Sequence, residues 1–417
     1  MKALFITPQS PFPPDKGTSL RNFNLLRGMT PAHEIHLLTF IEPGQQIASD
    51  SPLRSLCQSV HEVPAPPGRS KFQRLISTLL DPLPDMALRL RSREFSDKLA
   101  WLLDRERFDL VQVEGIEMAP YMDLILGGSR PPPVVIFDEH NAEYLLQRRA
   151  FENDLRSVIK WPGAFYSLVQ WRKLRSYERQ ACRKASAVTA VSADDKKTIL
   201  SLDPALQVAV VSNGIDCEFF QPIGQVDDQA SPEAPGADPS LVFIGTMDYR
   251  PNVDAMIWFC KEVFPLVLRE LPRARLQIVG RHPTKSLREA AGRNVDIVGG
   301  VEDVRPYMHR ASVYVVPMRI GGGVRFKVLE AMACGVPVVS TRMGAEGIDV
   351  VDGEHLLLAE LPSDYAARVV RLVKDRDLAR TLAAKARKRS TSLYDWRIIA
   401  PRLEAVWRQQ AREGSAR

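Results

Sequence analysis

The chain has 417 residues, of which 45% are hydrophobic and 25% charged, and its formal net charge is +6. A chain of this length is too long to fold around one compact core and fits two domains of about 200 residues each. The composition is that of a globular protein, and no apolar run reaches the roughly 18 residues that a membrane-spanning helix needs. Slight basicity without a recognisable binding module argues against a nucleic-acid-binding protein.

The cysteines are scattered, with neither a CxxC pair nor the spacing of zinc ligands: Cys57, Cys182, Cys217, Cys260 and Cys334. This pattern favours a reducing compartment and argues against a structural zinc site. Four apolar residues follow Met1 and Lys2, and a Thr-Pro-Gln-Ser-Pro segment then ends the run, which does not match a signal peptide. We therefore expect a cytoplasmic protein.

The first half of the chain alternates short apolar runs with helical patterns, which is typical of a parallel sheet covered by helices. The predicted strands are Ala3–Thr7, Ile35–Phe40, Leu110–Glu114, Val134–Asp138, Ala187–Val191 and Val208–Ser212. Residues 41–92 contain two proline-rich stretches and give no clear assignment.

A second alternating series begins after residues 221–240, which are rich in Pro, Gly and Asp and indicate a linker. Its predicted strands are Leu241–Ile244, Leu276–Val279, Val295–Val298, Val313–Val316, Val338–Ser340 and Leu356–Leu358. The sequence therefore predicts two doubly wound α/β domains, 1–220 and 241–393, whose strand ends face each other across a cleft.

Such alternation also suits a dinucleotide-dependent oxidoreductase, which would carry G-x-G-x-x-G directly after its first strand. Here the first strand leads into a proline-rich loop over residues 8–17, with one glycine, Gly17, before the next helix. The sequence therefore argues against a conventional NAD site at this position.

The most informative segment is RIGGGVRFKVLEAMACGVPVVST, residues 319–341. Apolar runs flank a glycine turn and a helical pattern, so the segment predicts one strand–turn–helix–strand unit. Glycines let backbone N–H groups approach a ligand closely, at a helix start whose dipole favours anions. The residues of this predicted phosphate-binding turn are Gly321, Gly322, Gly323 and Val324.

Three charged side chains follow the glycines. Arg325 and Lys327 lie in the predicted first helical turn and add positive charge where a diphosphate would bind. Glu330 lies one turn further along the face of Lys327. Because a carboxylate repels phosphate, its natural partners are the hydroxyl groups of a ribose or a sugar. The segment therefore predicts a nucleotide-diphosphate sugar as ligand.

The tail that begins at Glu330, Glu-Ala-Met-Ala-Cys-Gly-Val-Pro-Val-Val, resembles the donor-site signature of the retaining glycosyltransferases of family 4. The resemblance implies the GT-B fold, two doubly wound Rossmann-like domains facing across a cleft. Glu330 matches the second of two glutamates in the family pattern, and Gly322 stands in place of the first. The departure resembles a known variant, Gly-Gly-Gly-x-Arg-x-Lys, and it affects how the sugar ring is held.

The resemblance also implies roles for individual residues. His140 lies at the end of the predicted strand Val134–Asp138 and matches a histidine that contacts the transferred sugar in family members. Arg325 and Lys327 would stabilise the leaving diphosphate. Asp138 and Glu139 would either orient His140 or bind the acceptor. The implied donor-binding residues are Gly17, Gly245, Gly280, Val301, Gly321, Gly322, Gly323, Val324, Arg325, Lys327 and Glu330, and the implied catalytic residues are His140, Arg325, Lys327 and Glu330.

The implied activity is the transfer of a sugar, with retention, from a nucleotide-diphosphate donor that we expect to be UDP-linked. The implied acceptor is a lipid-linked or growing glycan in cell-surface or exopolysaccharide biosynthesis. No cofactor and no metal is expected, since no Asp-x-Asp motif stands at a strand end. Two alternatives stay open. A sugar-nucleotide epimerase of the same fold would need acid/base carboxylates, and a catalytically silent GT-B protein would bind without turnover.

Residues 148–184 contain ten Arg and Lys against three acids, with six aromatic residues interleaved. One interpretation is a surface that meets anionic lipid at the inner face of the cell membrane or a lipid-linked acceptor. The other is a basic helix pair whose aromatic side chains lie in the core. Finally, the family resemblance implies that a last helix, residues 394–417, packs back on the first domain.

Overall fold

The structure is a computed structural model that describes residues 1–128, 131–155, 161–222, 238–321 and 325–415. It contains two compact units, Met1–Ser212 with Ile399–Arg417, and Asn213–Ile398. The predicted boundary lies at 221–240, and most of that linker, 223–237, falls outside the described residues.

The first unit is built on a parallel sheet of seven strands in the order β3-β2-β1-β4-β5-β6-β7. The strands are β1 (Lys2–Thr7), β2 (Glu34–Ile41), β3 (Ser59–Pro64), β4 (Leu110–Glu114), β5 (Val134–Glu139), β6 (Ala187–Ala190) and β7 (Val208–Val210). Central strands such as β1 and β4 are almost wholly buried, as expected where helices cover both faces of a parallel sheet.

Helices connect and cover these strands: α1 (Gly17–Met29), α2 (Pro52–Leu56), α3 (Lys71–Leu80), α4 (Asp85–Arg89), α5 (Arg93–Arg105), α6 (Met122–Leu126), α7 (Glu143–Asp154), α8 (Trp161–Lys184) and α9 (Ala193–Leu200). A single 3₁₀ turn, Ala119–Tyr121, precedes α6. Several of these helices have an N-cap residue whose side chain accepts a hydrogen bond from a backbone N–H of the first turn. The Ser92 hydroxyl, for example, accepts a hydrogen bond from the Phe95 N–H at the start of α5.

The second unit has a parallel sheet of six strands in the order β10-β9-β8-β11-β12-β13. These are β8 (Ser240–Ile244), β9 (Arg275–Val279), β10 (Val295–Gly299), β11 (Val313–Val316), β12 (Val338–Ser340) and β13 (Leu357–Leu358). Its helices are α10 (Arg250–Trp258), a π-helical turn Phe259–Val263, α11 (Phe264–Glu270), α12 (Lys285–Ala290), α13 (Arg305–His309), α14 (Phe326–Ala333), α15 (Pro362–Lys374) and α16 (Arg376–Leu393).

All twelve predicted strands are confirmed, within two residues at either end. The sequence prediction missed β3, a sheet edge on which only Val63 is buried, because its polar sequence SVHEVP lacks an apolar run. The doubly wound α/β class is confirmed in both units.

The final helix, α17 (Trp396–Ser415), carries the chain back to the first unit. Trp407 is fully buried there, with its ring centroid 5.5 Å from that of Phe5, and its Nε1 donates to Gln112 Oε1 at 2.9 Å. A Cβ on Gly28 would lie 2.3 Å from the Cβ of Ala400, so α1 and α17 touch at a glycine. The helix is thus an integral part of the first unit.

Among the described residues, no helix combines the length and apolarity needed to cross a bilayer. All five cysteines are buried and none is in a disulfide. Burial raises the pKa of each thiol, for example to about 12 for Cys57 and for Cys260, so the thiols are unreactive core side chains.

Candidate active site

In the second unit, two glycines lie in direct backbone contact where β8 and β9 end. The Gly245 N–H donates to the Val279 carbonyl at 3.0 Å, and a Cβ on Gly280 would lie 1.8 Å from the Gly245 carbonyl oxygen. No side chain fits at position 280 without moving the backbone. The carboxyl ends of parallel strands are where α/β sheets bind ligands, and here main-chain groups border that edge.

Lys327, in the first turn of α14, reaches this edge. Its Nζ donates to Asn252 Oδ1 at 2.9 Å and lies 4.1 Å from the centroid of the Phe243 ring. A Cβ on Gly245 would be 2.8 Å from that Nζ, so the missing side chain at 245 leaves room for the ammonium group. Burial, with a smaller contribution from the Arg325 charge, lowers the pKa of Lys327 to about 7.

Glu330 lies one turn after Lys327 and is half-buried. Burial raises the pKa of its carboxyl group to about 7, against the opposing effect of the Lys327 charge. Tyr314 of β11 is fully buried nearby, where burial and then the Glu330 charge raise the pKa of its phenol well above the usual value. The ammonium group of Lys327 and the carboxyl group of Glu330 thus both have pKa values near neutral pH.

Arg325 occupies the N-cap position of α14 and is only 8% exposed. Its guanidinium lies against Gly321, where an added Cβ would be 2.8 Å from Nη2 and where φ is +119°. That conformation favours glycine. The predicted turn residues Gly322, Gly323 and Val324 lie outside the described residues, and Val301 is half-buried in the loop between β10 and α13.

Arg281 and His282 follow Gly280 at the end of β9. The exposed Arg281 side chain runs along Gly300, where an added Cβ would be 2.6 Å from its Cγ. His282 has φ +60°, a left-handed conformation that is uncommon outside glycine and that clusters at functional sites. A hydrogen bond of 2.8 Å from the Met247 N–H to the Arg281 carbonyl connects the loop after β8 to the loop after β9.

In the first unit, a buried charge network surrounds His140 at the ends of β4 and β5. The His140 Nε2 lies 3.0 Å from Glu114 Oε2 and 3.3 Å from Asp138 Oδ2. Arg21 from α1 donates to both oxygens of Asp138, at 2.6 and 2.8 Å. With its amide oriented to suit the network, Asn22 adds a hydrogen bond of 2.8 Å to Glu114 Oε2.

These contacts determine the protonation of the network. Burial alone would lower the pKa of His140, but hydrogen bonds to Asp138 and Glu114 outweigh it and raise that pKa to about 9. Burial alone would raise the pKa of Asp138, yet the Arg21 charge holds it well below its usual range. Burial and the Asp138 charge raise the pKa of Glu114 to about 7. At neutral pH, His140 is therefore an imidazolium and a hydrogen-bond donor.

Glu114, Asp138 and His140 each offer a ligand atom within 4.8 Å of the others, which is close enough for a metal ion. Arg21 and the protonated His140 already supply two positive charges to this set. The donors therefore fit a compensated hydrogen-bond network better than a cation site.

Glu139 lies on the opposite face of β5 from Asp138, since neighbouring strand residues alternate. It is 1% exposed, and neither carboxylate oxygen has a hydrogen-bond partner among the residues that the structure describes. Burial, and then the charge of the nearby Glu178, raise the pKa of its carboxyl group well above the usual value. Of the two roles predicted for Asp138 and Glu139, orienting His140 therefore fits Asp138. Gly17 is exposed at the first residue of α1, the helix that carries Arg21.

In the basic segment 148–184, residues 156–160 lie outside the described residues. The aromatic side chains divide into two groups. Phe151 and Trp171 stack with ring centroids 6.2 Å apart, whereas Trp161 and Phe165 are more than half exposed. Neither interpretation of the segment therefore holds for all of its aromatic residues.

Two family models match different parts of this chain. One, described as Glycosyltransferase Family 4, matches residues 16–219, and one described as Glycosyl transferases group 1 matches residues 238–375. Together they leave out little beyond the two termini and the linker.

The chain is also similar to two proteins of known sequence. An uncharacterized 44.6 kDa protein in the cps region of Klebsiella pneumoniae is 22% identical over 90% of this chain and 91% of its own length. A phosphatidyl-myo-inositol mannosyltransferase of Mycobacterium tuberculosis is 27% identical over 49% of this chain, and the match spans 55% of that enzyme.

Among solved structures, HepE of Anabaena in complex with UDP-glucose superposes with a TM-score of 0.65 at 15% identity, over 98% of this chain and 100% of that one. At this identity the similarity establishes the fold, which is GT-B. With both family models and the fold in agreement, the chain belongs to the glycosyltransferases of family 4 and group 1.

Proposed function

We propose that this protein transfers a sugar, with retention, from a UDP-linked donor to a lipid-linked or growing glycan in cell-surface or exopolysaccharide biosynthesis. The observation that carries the proposal is the position of Lys327, one helical turn before Glu330. Its ammonium group lies at the ends of β8 and β9, where Gly245 and Gly280 form the glycine edge of the second unit. A cation at the strand ends suits a diphosphate, and an adjacent acid suits sugar or ribose hydroxyls.

The donor-binding residues in this proposal are those identified from the sequence, with Asn252 and Arg281 added. Lys327 and Arg325 stabilise the negative charge that develops on the leaving diphosphate. Glu330 accepts hydrogen bonds from hydroxyl groups, and its raised pKa keeps part of the population protonated at neutral pH. UDP as the nucleotide is supported by the complex of HepE with UDP-glucose.

For the first unit, we propose that His140 donates a hydrogen bond to a hydroxyl group of the transferred sugar. Its Nε2 faces Glu114 and Asp138, so Nδ1 is the atom available to the substrate. An imidazolium cannot act as a general base. The acceptor's hydroxyl proton therefore passes to the departing phosphate oxygen as the old C1–O bond breaks and the new one forms on the same face. The reaction so proposed uses neither a metal nor a cofactor.

The acceptor class rests on the relatives. The mannosyltransferase is named for a lipid, phosphatidyl-myo-inositol, which supports a lipid-linked acceptor, and the Klebsiella relative belongs to the cps region. Peripheral contact with the inner face of an anionic membrane through 148–184 belongs to the same proposal.

An epimerase stays a second candidate, because Glu330 and Glu114 both have pKa values raised to about 7, where acid/base carboxylates work best. The two activities differ in what they require. A transferase releases UDP only with an acceptor, whereas an epimerase converts the donor sugar without one.

The decisive experiment is a thermal-shift panel with UDP, GDP, ADP, CMP and NAD on the wild type and on Glu330→Ala, followed by incubation with labelled UDP-sugars. A ligand at 100 times its Kd stabilises a protein by about 2.7 kcal/mol, a shift of several degrees. We expect a shift with UDP that Glu330→Ala loses, and label transfer to a lipid fraction. Epimeric sugar formed without acceptor would identify the epimerase, and no shift with any nucleotide would favour the silent binding protein.

A further inference from the structure

Helix α3 turns its apolar side away from the protein. Phe72, Leu75, Ile76, Leu79 and Leu80 recur at spacings of three and four, so they share one helical face, and they are between 41% and 80% exposed. A surface helix of a globular protein normally buries such a face against the core. An exposed apolar patch of this kind marks an interaction site.

Hydrogen bonds on the opposite, polar side hold α3 in this orientation. Thr78 is 2% exposed, and its hydroxyl accepts a hydrogen bond of 2.9 Å from Gln170 Nε2 of α8. The Lys173 ammonium donates to the carbonyls of Thr78 and Asp81, at 2.7 and 2.5 Å, at the C-terminal end of α3. A cation there also complements the helix dipole. Turning the apolar face inward would break these contacts.

The first turns of α8 extend the apolar surface. Arg74 of α3 donates to the Tyr166 hydroxyl at 2.8 Å, one turn before the contact between Thr78 and Gln170, so the two helices run side by side in the same direction. Trp161 and Phe165, 55% and 56% exposed, therefore lie towards the N-terminal end of α3. Amphipathic aromatic rings of this kind are enriched at membrane–water interfaces.

The exposed charged side chains of α3 and α8 have one sign, and two of them, Arg183 and Lys184, pair with Asp203 and Asp123 of other segments. Glu178 is the single acidic side chain in α3 and α8, and it is buried. The exposed charged residues of the two helices are all basic: Lys71, Arg172, Arg175, Arg179, Arg183 and Lys184. Two copies of this chain meeting through this face would bring like charges together, whereas an anionic lipid surface would complement them.

We propose that the outward face of α3, with Trp161 and Phe165, inserts into the headgroup region of a bilayer containing anionic phospholipid. The helix lies in the plane of the interface, and the basic side chains of α8 contact the headgroups. This deepens the membrane contact of the proposed function, because it assigns the apolar insertion to α3, a helix outside the segment 148–184.

The test is flotation of the purified protein with vesicles of phosphatidylcholine alone or mixed with phosphatidylglycerol, without any donor sugar. We expect binding to the mixed vesicles only, weakened by salt because the attraction is partly electrostatic. Leu75→Gln/Leu79→Gln should lower the vesicle affinity at least about tenfold, since two leucines lose their apolar burial. Leu361→Gln, at a 61% exposed position in the second unit, is the matched control and should bind like the wild type.

A second variant, Arg172→Glu/Arg175→Glu, tests the charge and should bind mixed vesicles more weakly without losing its fold. The proposal is overturned if the wild type does not bind mixed vesicles, or if the leucine pair can be replaced without loss. It is also overturned if the leucine variant abolishes a concentration-dependent dimer instead, which would assign the face to a second copy. A UDP thermal shift retained by every variant would separate this result from the fate of the donor site.

Discussion

Arg21 and Asp138 form a two-point ion pair in the interior of the first unit, with Nε to Oδ2 at 2.6 Å and Nη2 to Oδ1 at 2.8 Å. Their side chains are 2% and 0% exposed. The same guanidinium donates to the Val211 and Ser212 carbonyls at 2.9 and 3.1 Å, at the end of the first unit's main segment. Arg21 thus compensates the acid beneath His140 and fixes the chain where it leaves the unit.

Arg21→Met should destabilise the first unit strongly, because it leaves the Asp138 carboxylate buried without its counter-charge. Removing one partner of a buried pair typically costs about 3–5 kcal/mol. Arg27→Met, on the exposed side of the same helix, should change stability by no more than about 0.5 kcal/mol. Urea denaturation measures both. Restoring part of the loss with Arg21→Met/Asp138→Asn would attribute it to the uncompensated charge, and a loss below about 1 kcal/mol would contradict it.

The pKa of His140 makes stability depend on pH in a defined window. Its folded value, about 9, exceeds the usual 6.5, so the imidazolium stabilises the fold below pH 6.5 and that stabilisation disappears as the pH rises towards 9. The full effect is on the order of 3 kcal/mol. Denaturation at pH 7 and pH 9.5 should reveal the loss in the wild type and little of it in His140→Asn.

The His140 shift can also be measured directly. An NMR titration of the imidazole in the wild type should give a midpoint well above 6.5, and Arg21→Lys, where it folds, should change that midpoint. A midpoint close to 6.5 would mean that Glu114 and Asp138 do not hold the proton, and would remove the argument that His140 acts as a donor.

Lys327 should couple UDP binding to proton uptake. Its pKa is lowered to about 7 in the unliganded protein, and a bound diphosphate favours the charged ammonium. Above pH 7, UDP affinity should therefore fall by up to about tenfold per pH unit. Calorimetry at pH 8 in two buffers of different ionisation enthalpy would detect the proton.

Variants sharpen the assignment to Lys327. Lys327→Arg should bind UDP without this pH dependence, because a guanidinium does not titrate in the range. Lys261→Ala, an exposed lysine in the same unit, should leave both affinity and proton uptake unchanged. Proton uptake that persists in Lys327→Arg would exclude Lys327 as its source.

Much of the fold follows from the sequence because buried parallel strands appear as apolar runs. The Lys327–Glu330 pair was predictable as well, since one helical turn fixes their spacing. The network of Arg21, Asp138 and Glu114 was not, because its members lie on three elements and only the sheet order brings them together. The alternating pattern along β5 did not show which of Asp138 and Glu139 would face His140.

The orientation of α3 could not be predicted from the sequence either. Periodicity identifies an amphipathic helix but not which of its faces meets the protein, and α3 directs its polar face inward through contacts with Gln170 and Lys173, about 90 residues away. The proline-rich surroundings of α3 gave no helical signal strong enough to assign it at all.

The contact between Gly280 and Gly245 provides the last prediction. In Gly280→Ala the new Cβ would lie 1.8 Å from the Gly245 carbonyl oxygen, a distance that forces the backbone apart. Strain of this kind typically costs about 1–3 kcal/mol or more, and it would displace the strand ends next to Lys327. Both thermal stability and UDP affinity should therefore fall. Gly292→Ala, where a Cβ meets nothing within 4 Å, is the matched control and should leave both within error or raise stability slightly. If Gly280→Ala kept full UDP affinity, the glycine edge would not be part of the donor site.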